Sequence, residues 1–276
     1  MTCKTILVAL DTGPRCVARV AVAARLAVVH RSRLVGVAPT GLPDVIVTMN
    51  RMVPDAVECG SLSASFLRER ADALARAFEQ QAGDAGVPCI EARVVEDEPL
   101  DAVVRAGRCC DLVVVGQTDP STPLDGIAFD FPQHVVLHTG APVLVVPFAG
   151  GFGAPGARAR GAWKDTREAA RALRDALPTL RGAEQVMLVE IGDDGIAPDT
   201  LTDAQRRLAD QGIAATARSV PGLANAGDAL LALAAELSCD PVVMGAYGHS
   251  RLRERVLVGV TRHILDAMTV PTLMSH

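Results

Sequence analysis

The sequence has few aromatic residues and almost no lysine. Aromatic residues make up 3% of the 276 residues, so aliphatic side chains must fill the core, and the only lysines are Lys4 and Lys164. Acidic residues outnumber basic ones, 32 to 27, and a chain without a basic excess is a poor candidate for nucleic-acid binding. No apolar run reaches the roughly 18 residues that span a bilayer, and a strand pattern begins directly after Lys4, with no room for a signal peptide. We therefore expect a cytoplasmic protein that binds neither membrane nor nucleic acid.

Several motifs of dedicated enzymes are also missing. No G-x-G-x-x-G directly follows the first strand of either half, no Gly-Lys-Ser/Thr occurs, and no G-x-S-x-G nucleophile elbow is present. No carboxylate pair, Ser-His-Asp set or Cys-His set stands out, so we expect no dedicated enzyme, although slow nucleotide hydrolysis at a bound site is left open. His134 and His138 fit the surface of a helix better than a zinc site.

The seven cysteines include no C-x-x-C pair. Their odd number indicates free thiols in a reducing compartment, most of them acting as small apolar residues. A redox role for the neighbouring Cys109 and Cys110 is left open.

The pattern of apolar runs and helices occurs twice along the chain. Asp111–Gly116 aligns with Asp240–Gly245 at an offset of 129 residues, whereas Asp11 aligns with Asp165 at 154. The first half therefore carries about 25 extra residues (154 − 129), which we place within residues 39–65, where proline, glycine and serine cluster. That stretch is either a loop or lid, or a surface insertion without a role.

The repeat predicts an α/β fold. Uninterrupted apolar strands separated by amphipathic helices are typical of parallel sheets that are covered on both faces. We predict two tandem, doubly wound parallel-sheet domains, residues 1–149 and 150–276, joined by the glycine-rich stretch 148–156.

A candidate site follows from this fold. Ligands of open parallel sheets bind beyond the carboxyl ends of the strands, where the strand order reverses. If the first and fourth strands of the second half are its central pair, Asp165 and Gly245 lie side by side. Gly248 follows, and Thr261 stands where the next helix begins, so its hydroxyl could cap that helix or bind an oxygen.

Spacing alone leaves two interpretations of this segment open. Arginines make it locally basic, which favours an anion, but a glycine-rich turn with a solvated arginine face fits equally well. His249 is either a phosphate ligand or an exposed loop residue.

The segment resembles the motif of a known family. Gly245-x-x-Gly248 followed by Gly259-Val260-Thr261 is similar to the nucleotide-binding type of universal stress protein, and the tandem form of that family resembles the whole chain. The family's motif has nine residues between its second glycine and a third glycine, which is followed by Ser or Thr. Here Val258 takes the third glycine's position and Gly259 takes the position of the Ser or Thr.

The resemblance implies a fold, a ligand and an assembly. The fold would be a pair of five-stranded domains of the adenine nucleotide alpha hydrolase type, whose final strands, 143–146 and 271–274, pair to form a pseudo-dimer. The ligand would be ATP or a related adenine nucleotide, with magnesium as the ion that could accompany ATP. Whether two chains associate further, and which protein is the partner, stays open.

The resemblance also assigns residues to the ligand in the second half only. The residues that it implies are Trp163 and Asp165 near the adenosine, and Gly245, Gly248, His249, Gly259, Val260 and Thr261 around the phosphates. In the first half, Asp119 and Asp130 stand where Gly248 and Gly259 align, and two carboxylates should repel a nucleotide. We therefore expect a stress-response protein that binds nucleotide in its second domain, with a structural or regulatory first domain. The alternative is a nucleotide-free interaction or scaffold protein, which the Val258 departure favours.

Overall fold

A computed structural model of the chain describes residues 3–41, 64–119, 130–150, 158–192, 198–221, 226–236, 240–248 and 259–276. These residues form two compact units, Cys3–Ala141 and Pro142–His276. Most of the predicted insertion at 39–65 lies outside the described residues, and so do His249 and Val258. Among the described residues, no helix is long and apolar enough to cross a membrane.

The first unit alternates strands and helices. Its elements are β1 (Thr5–Ala9), α1 (Cys16–His30), β2 (Arg33–Pro39), α2 (Ala64–Asp84), β3 (Cys89–Val95), α3 (Pro99–Gly107), β4 (Leu112–Gly116) and α4 (Phe131–His138). The four strands are parallel and lie in the order β3-β2-β1-β4.

The second unit repeats this alternation after one additional strand. Its elements are β5 (Val143–Val146), β6 (Arg158–Trp163), α5 (Arg167–Asp175), α6 (Leu177–Leu180), β7 (Gln185–Gly192), α7 (Pro198–Asp210), β8 (Ala215–Pro221), α8 (Ala226–Glu236), β9 (Val242–Gly245), α9 (Val260–Ala267) and β10 (Thr272–Ser275). Five strands are parallel in the order β8-β7-β6-β9-β10, and β5 adds to β10 in the antiparallel sense. The predicted α/β class and the pairing of the two final strands are confirmed. Residues 142–149, which the sequence placed at the end of the first domain, group with the second unit because of this pairing.

The strand order confirms the assumption on which the candidate site rests. The first strand of each repeat pairs with the fourth, β1 with β4 and β6 with β9. One carboxylate supports each pairing. Asp111 Oδ2 accepts hydrogen bonds from the backbone N–H groups of Lys4 and Thr5 at 2.8 and 2.9 Å, and Asp240 Oδ2 accepts one from Arg158 at 2.9 Å.

The repeats also end equivalent helices in the same way. Gly86 follows α2 and Gly212 follows α7, both in the left-handed region with φ of 76° and 75°. The next N–H groups, those of Val87 and Ile213, donate to the carbonyl oxygen five residues earlier at 3.1 and 2.9 Å. Glycine is favoured here because it adopts a positive φ without a Cβ penalty.

The sequence predicts a strand at 158–163, although its two arginines make it a poor one, and a helix at 166–177. The strand is confirmed with the same bounds, as β6, and it is central in its sheet; Arg158 is exposed, while the buried Arg160 donates through a guanidinium nitrogen to Ala159 O at 3.2 Å. The helix predicted for 166–177 instead ends at Asp175, and the separate turn α6 follows with Pro178 near its start. Proline lacks the N–H that a continuing helix would use.

The described cysteines differ in burial, which predicts an order of reaction. Burial raises the pKa of Cys3 to about 12 and that of Cys110 to about 11, whereas Cys89 and Cys109 are exposed. Because the thiolate is the nucleophile, we expect iodoacetamide at pH 8 to alkylate Cys89 and Cys109 first, then Cys110, and Cys3 last. Peptide mass spectrometry over a time course measures this order, and equal rates at Cys3 and Cys89 would contradict it.

Candidate functional site

In the second unit, the carboxyl ends of β6 and β9 lie side by side. Ala162 pairs with Met244, so the two strands end at the same level, at Trp163 and Gly245. The start of α5 packs closely on Gly245, where an added Cβ would lie 2.5 Å from the backbone nitrogen of Ala169. Only glycine permits this approach of the helix to the strand end.

Gly248 lies beside the same helix start. A Cβ at this position would be 3.0 Å from Glu168 Oε2 and 3.4 Å from Thr166 Oγ1. Thr166 is the N-cap of α5, and its hydroxyl accepts a hydrogen bond from the Ala169 N–H at 3.3 Å. The backbone at Gly248 is exposed and has side-chain oxygens on one side.

A hydrogen bond joins the two segments that the resemblance places around the phosphates, Gly245–Gly248 and Gly259–Thr261. The backbone N–H of Tyr247 donates to Thr261 Oγ1 at 3.1 Å, and Thr261 is buried. Thr261 does not cap the helix, because Gly259 is its N-cap, and its hydroxyl oxygen instead joins the segment after β9 to the first turn of α9. Ligand binding by this hydroxyl stays a prediction. Gly259 is the N-cap of α9 and supplies no side-chain cap, so no side chain of the N-cap satisfies the first N–H groups of the helix.

The segment after β9 has an unusual backbone that is supported from one side. Tyr247 adopts φ of 56°, a left-handed conformation that is uncommon for residues other than glycine. His276 contacts the segment twice. Its Nδ1 lies 3.0 Å from Ala246 O, and its ring meets that of Tyr247 edge-on at a centroid distance of 6.4 Å. Such conformations persist only where the surrounding structure imposes them, and they cluster at ligand-binding segments.

The other residues implied by the resemblance lie at or near the end of β6 and at the start of α9. Trp163 is half-buried at the end of β6, Asp165 is exposed two residues later, and Val260 is the exposed first residue of α9. The structure thus brings the Gly245–Gly248 segment close to Thr261, while His249 is outside the described residues.

One carboxylate at this site was not predicted from the sequence. Glu168 is buried, 6% exposed, and its Oε1 accepts from Arg167 Nε at 3.0 Å, while its Oε2 faces Gly248. A negative charge at this place opposes a bare phosphate but not one accompanied by a cation. Spacing in the sequence gave no sign of this contact, because it depends on how α5 packs on β9.

Glu190 is the second residue that the sequence analysis missed. It stands directly beside Trp163 in the register of β6 and β7 and is 2% exposed. Burial raises the pKa of its carboxyl group. A signal was available in the sequence, since Glu190 is the only charged residue in the otherwise apolar run 186–191.

In the first unit, a buried arginine lies at the equivalent strand ends, those of β1 and β4. Arg19 is buried on α1, donates through Nε to Ala9 O at 2.9 Å, and forms an ion pair with Asp11. Its guanidinium also packs against Gly116, where any Cβ would clash with it. Burial by itself lowers the pKa of Arg19, but Asp11 and Cys16 together outweigh this effect and the net shift of the pKa is upward. The charge of Asp11, the acidic residue after β1, is therefore balanced by Arg19.

A narrow cleft remains beside this ion pair. It lies at the carboxyl ends of β1 and β2 and is lined by Asp11, Pro39 and Phe131, among others. Asp130 is the residue before α4 and forms no side-chain cap with it. The helix start in this unit therefore carries a carboxylate where α9 of the second unit carries Gly259.

The whole chain matches solved structures in fold. A universal stress protein from Archaeoglobus fulgidus superposes with a TM-score of 0.72 at 15% identity, covering 98% of this chain and 95% of its own. A functionally unknown protein from Pseudomonas aeruginosa superposes with a TM-score of 0.58 at 14% identity, covering 99% and 92%. No protein-family model and no curated protein matches the sequence. The chain has the fold of universal stress proteins, and at this identity the similarity extends to the fold alone.

The buried ion pair of the first unit gives a stability prediction. Arg19→Leu introduces the residue that the second repeat has at Leu173, and it leaves the Asp11 carboxylate, 11% exposed, without its counter-charge. We expect urea unfolding to show a loss of about 3 kcal/mol, with much of it recovered in the Arg19→Leu/Asp11→Asn double variant. Arg25→Leu, at an exposed position of the same helix, is the control. Equal losses in the single and double variants would show that the charge of Asp11 is not the cause.

Proposed function

We propose that the second repeat binds ATP or a related adenine nucleotide and acts as a regulatory binding module of the stress-response type. The Tyr247–Thr261 hydrogen bond carries this proposal, because it brings the Gly245–Gly248 segment to the N-terminus of α9, whose N-cap Gly259 has no side chain. Backbone N–H groups at a helix N-terminus and the helix dipole together favour an anion. A glycine-rich segment lets phosphate oxygens approach the backbone.

The position of the site in the sheet agrees with this ligand. Gly245 ends β9, which neighbours β6, and β6 separates it from β7. After β6 the chain continues to β7 and β8 on one side, and after β9 it continues to β10 on the other side. The strand order therefore reverses between β6 and β9, and open α/β sheets bind nucleotides at such a point. The anion would lie over Gly245 and Gly248, and the nucleoside would extend towards Trp163.

Glu168 favours a nucleotide accompanied by magnesium. Its Oε2 and the Thr166 hydroxyl both face Gly248, and oxygen atoms of these kinds are ligands that Mg²⁺ prefers. The ion would offset the charge of Glu168 next to the phosphates. Asp165, exposed at the end of β6, adds to the negative charge near this edge.

The first repeat is proposed to have a structural or regulatory role. Its Arg19–Asp11 pair occupies the strand ends, and its helix start carries Asp130. Neither feature suits a nucleotide phosphate. We place nucleotide binding in the second repeat for this reason.

The Gly248→Val variant tests the proposed phosphate position. A branched side chain would meet Glu168 Oε2 and Thr166 Oγ1 and would cover the exposed backbone, so we expect ATP binding to be lost in calorimetric titration. Gly83→Val on α2 is the control, because a Cβ there meets nothing within 4 Å. Unchanged ATP affinity in Gly248→Val would refute the site.

The Glu168→Gln variant tests the role of magnesium. Removing one negative charge about 4 Å from a phosphate is worth about 1 kcal/mol in water, so without magnesium we expect the variant to bind ATP about fivefold more tightly than the wild type. With excess magnesium the difference should shrink or reverse. Glu184→Gln, at an exposed position of the same unit, is the control. The same gain with and without magnesium would argue against a bound ion at Glu168.

The second candidate function is a nucleotide-free interaction or scaffold protein. Val258 at the third glycine position and Glu168 beside Gly248 favour it. Mass spectrometry of the gently purified protein separates the candidates, since a co-purifying adenine nucleotide supports binding. If none is found, and titration of the chain with ATP and magnesium shows no heat of binding, the scaffold function is the better account.

A further inference from the structure

Three residues of the second unit share one level at the carboxyl ends of adjacent strands. Trp163 on β6 is the register partner of Glu190 on β7. On the other side of β6, Ala162 pairs with Met244 of β9, so the next residue of β9, Gly245, lies level with Trp163. Glu190 is thus two strands from Gly245, about 10 Å away at the usual strand spacing. That distance exceeds the reach of a phosphate group and suits the length of a nucleoside.

Two of these residues carry buried polar atoms to which the described part of the chain offers no hydrogen bond. Among the described residues, neither Trp163 Nε1 nor Glu190 Oε1 has a hydrogen-bond partner, and the Glu190 side chain is 2% exposed. Native proteins rarely leave such groups unsatisfied, because burying an unpaired polar group costs more than a hydrogen bond contributes. Register partners on parallel strands point to the same face of the sheet, so one ligand group can meet both side chains.

The fold itself does not require polar side chains at this pair. In the first repeat the equivalent positions are Ala9, 154 residues before Trp163, and its register partner Val37, and both are fully apolar and buried. The second repeat has instead a hydrogen-bond donor beside an acceptor. The repeat that has the polar pair Trp163 and Glu190 is also the repeat that has Gly248 and Gly259, where the first repeat has Asp119 and Asp130.

We propose that Trp163 and Glu190 recognise the base of the nucleotide, with Glu190 accepting from an exocyclic amino group and Trp163 donating to a neighbouring ring nitrogen. Adenine offers this combination through its 6-amino group and N7, whereas guanine presents an oxygen at the 6-position. The Glu190 carboxylate would repel that oxygen. Glu190 therefore determines specificity for adenine over guanine, an inference that rests on the proposed nucleotide site.

The test uses the full chain with ATP, GTP and inorganic triphosphate, each with magnesium. We expect the wild type to prefer ATP over GTP by about tenfold or more, as a hydrogen bond to a charged group allows. Glu190→Gln should reduce this preference to within about threefold, because an amide can also donate to the guanine oxygen. Its affinity for inorganic triphosphate should not change. Glu236→Gln, at an exposed position of α8, is the matched control and should keep the wild-type preference.

The fluorescence of Trp163, the only tryptophan in the chain, gives a second readout. We expect ATP to change its emission while inorganic triphosphate leaves it unchanged. A Glu190→Val variant, which copies the first repeat, should lose the preference for ATP and keep triphosphate binding.

Two results would overturn the inference, and they are distinguishable. If ATP binds and Gly248→Val abolishes binding, but Glu190→Gln keeps the full preference for ATP, base recognition by Glu190 fails while the proposed function stands. If the wild type binds neither nucleotide, the proposed function fails and the inference fails with it.

Discussion

The register between the first and fourth strands of each repeat is the constraint on which the candidate site depends. Asp111 and Asp240 each accept backbone N–H groups at the start of the first strand, and this interaction occurs at the same place in both repeats. A carboxylate that accepts N–H groups of a neighbouring strand fixes the strand ends relative to each other. At the opposite ends of the same strands lie Ala9 and Gly116 in one repeat, and Trp163 and Gly245 in the other.

The two repeats use this shared frame in opposite ways. In the first, a buried arginine from α1 fills the space over Gly116 and neutralises Asp11. In the second, the equivalent helix position is Leu173, which packs in the core, and Gly245 is met by the helix backbone. A buried ion pair contributes little net stability but is costly to break, so this one keeps Arg19 of α1 beside Asp11 and Gly116. In the second repeat the exposed residue near this strand end is Gly248.

The candidate site of the second repeat contains two carboxylates in addition to its glycines. Glu168 lies against Gly248, and Glu190 lies buried two strands away. In the proposed complex, Glu168 would lie beside the phosphates of the nucleotide and Glu190 beside its base. A site for phosphate alone would use neither carboxylate, whereas the proposed site for a magnesium-bound adenine nucleotide would use both.

The sequence by itself determined the fold class, the duplication and most element bounds. The offset of 129 residues between Asp111–Gly116 and Asp240–Gly245 is enough to align the repeats. The residue patterns at 89–95, 112–116, 143–146 and 242–245 predict β3, β4, β5 and β9 with the bounds that the structure has. These features are local, because a strand buried on both faces must be apolar along its length. Strand β6 also has its predicted bounds, 158–163, but its two arginines gave no sign that it is central in its sheet.

Only the tertiary structure decided which side chains meet at the strand ends. Arg19 meets Gly116 across 97 residues of chain, Thr261 accepts from Tyr247 across 14, and Glu190 comes beside Trp163 only through the register of β6 and β7. Such contacts follow from helix packing and strand register, which no local pattern encodes. The glycines after β9 marked the place of the candidate site in the sequence. The groups that give it charge and hydrogen-bonding character became visible only in the folded chain.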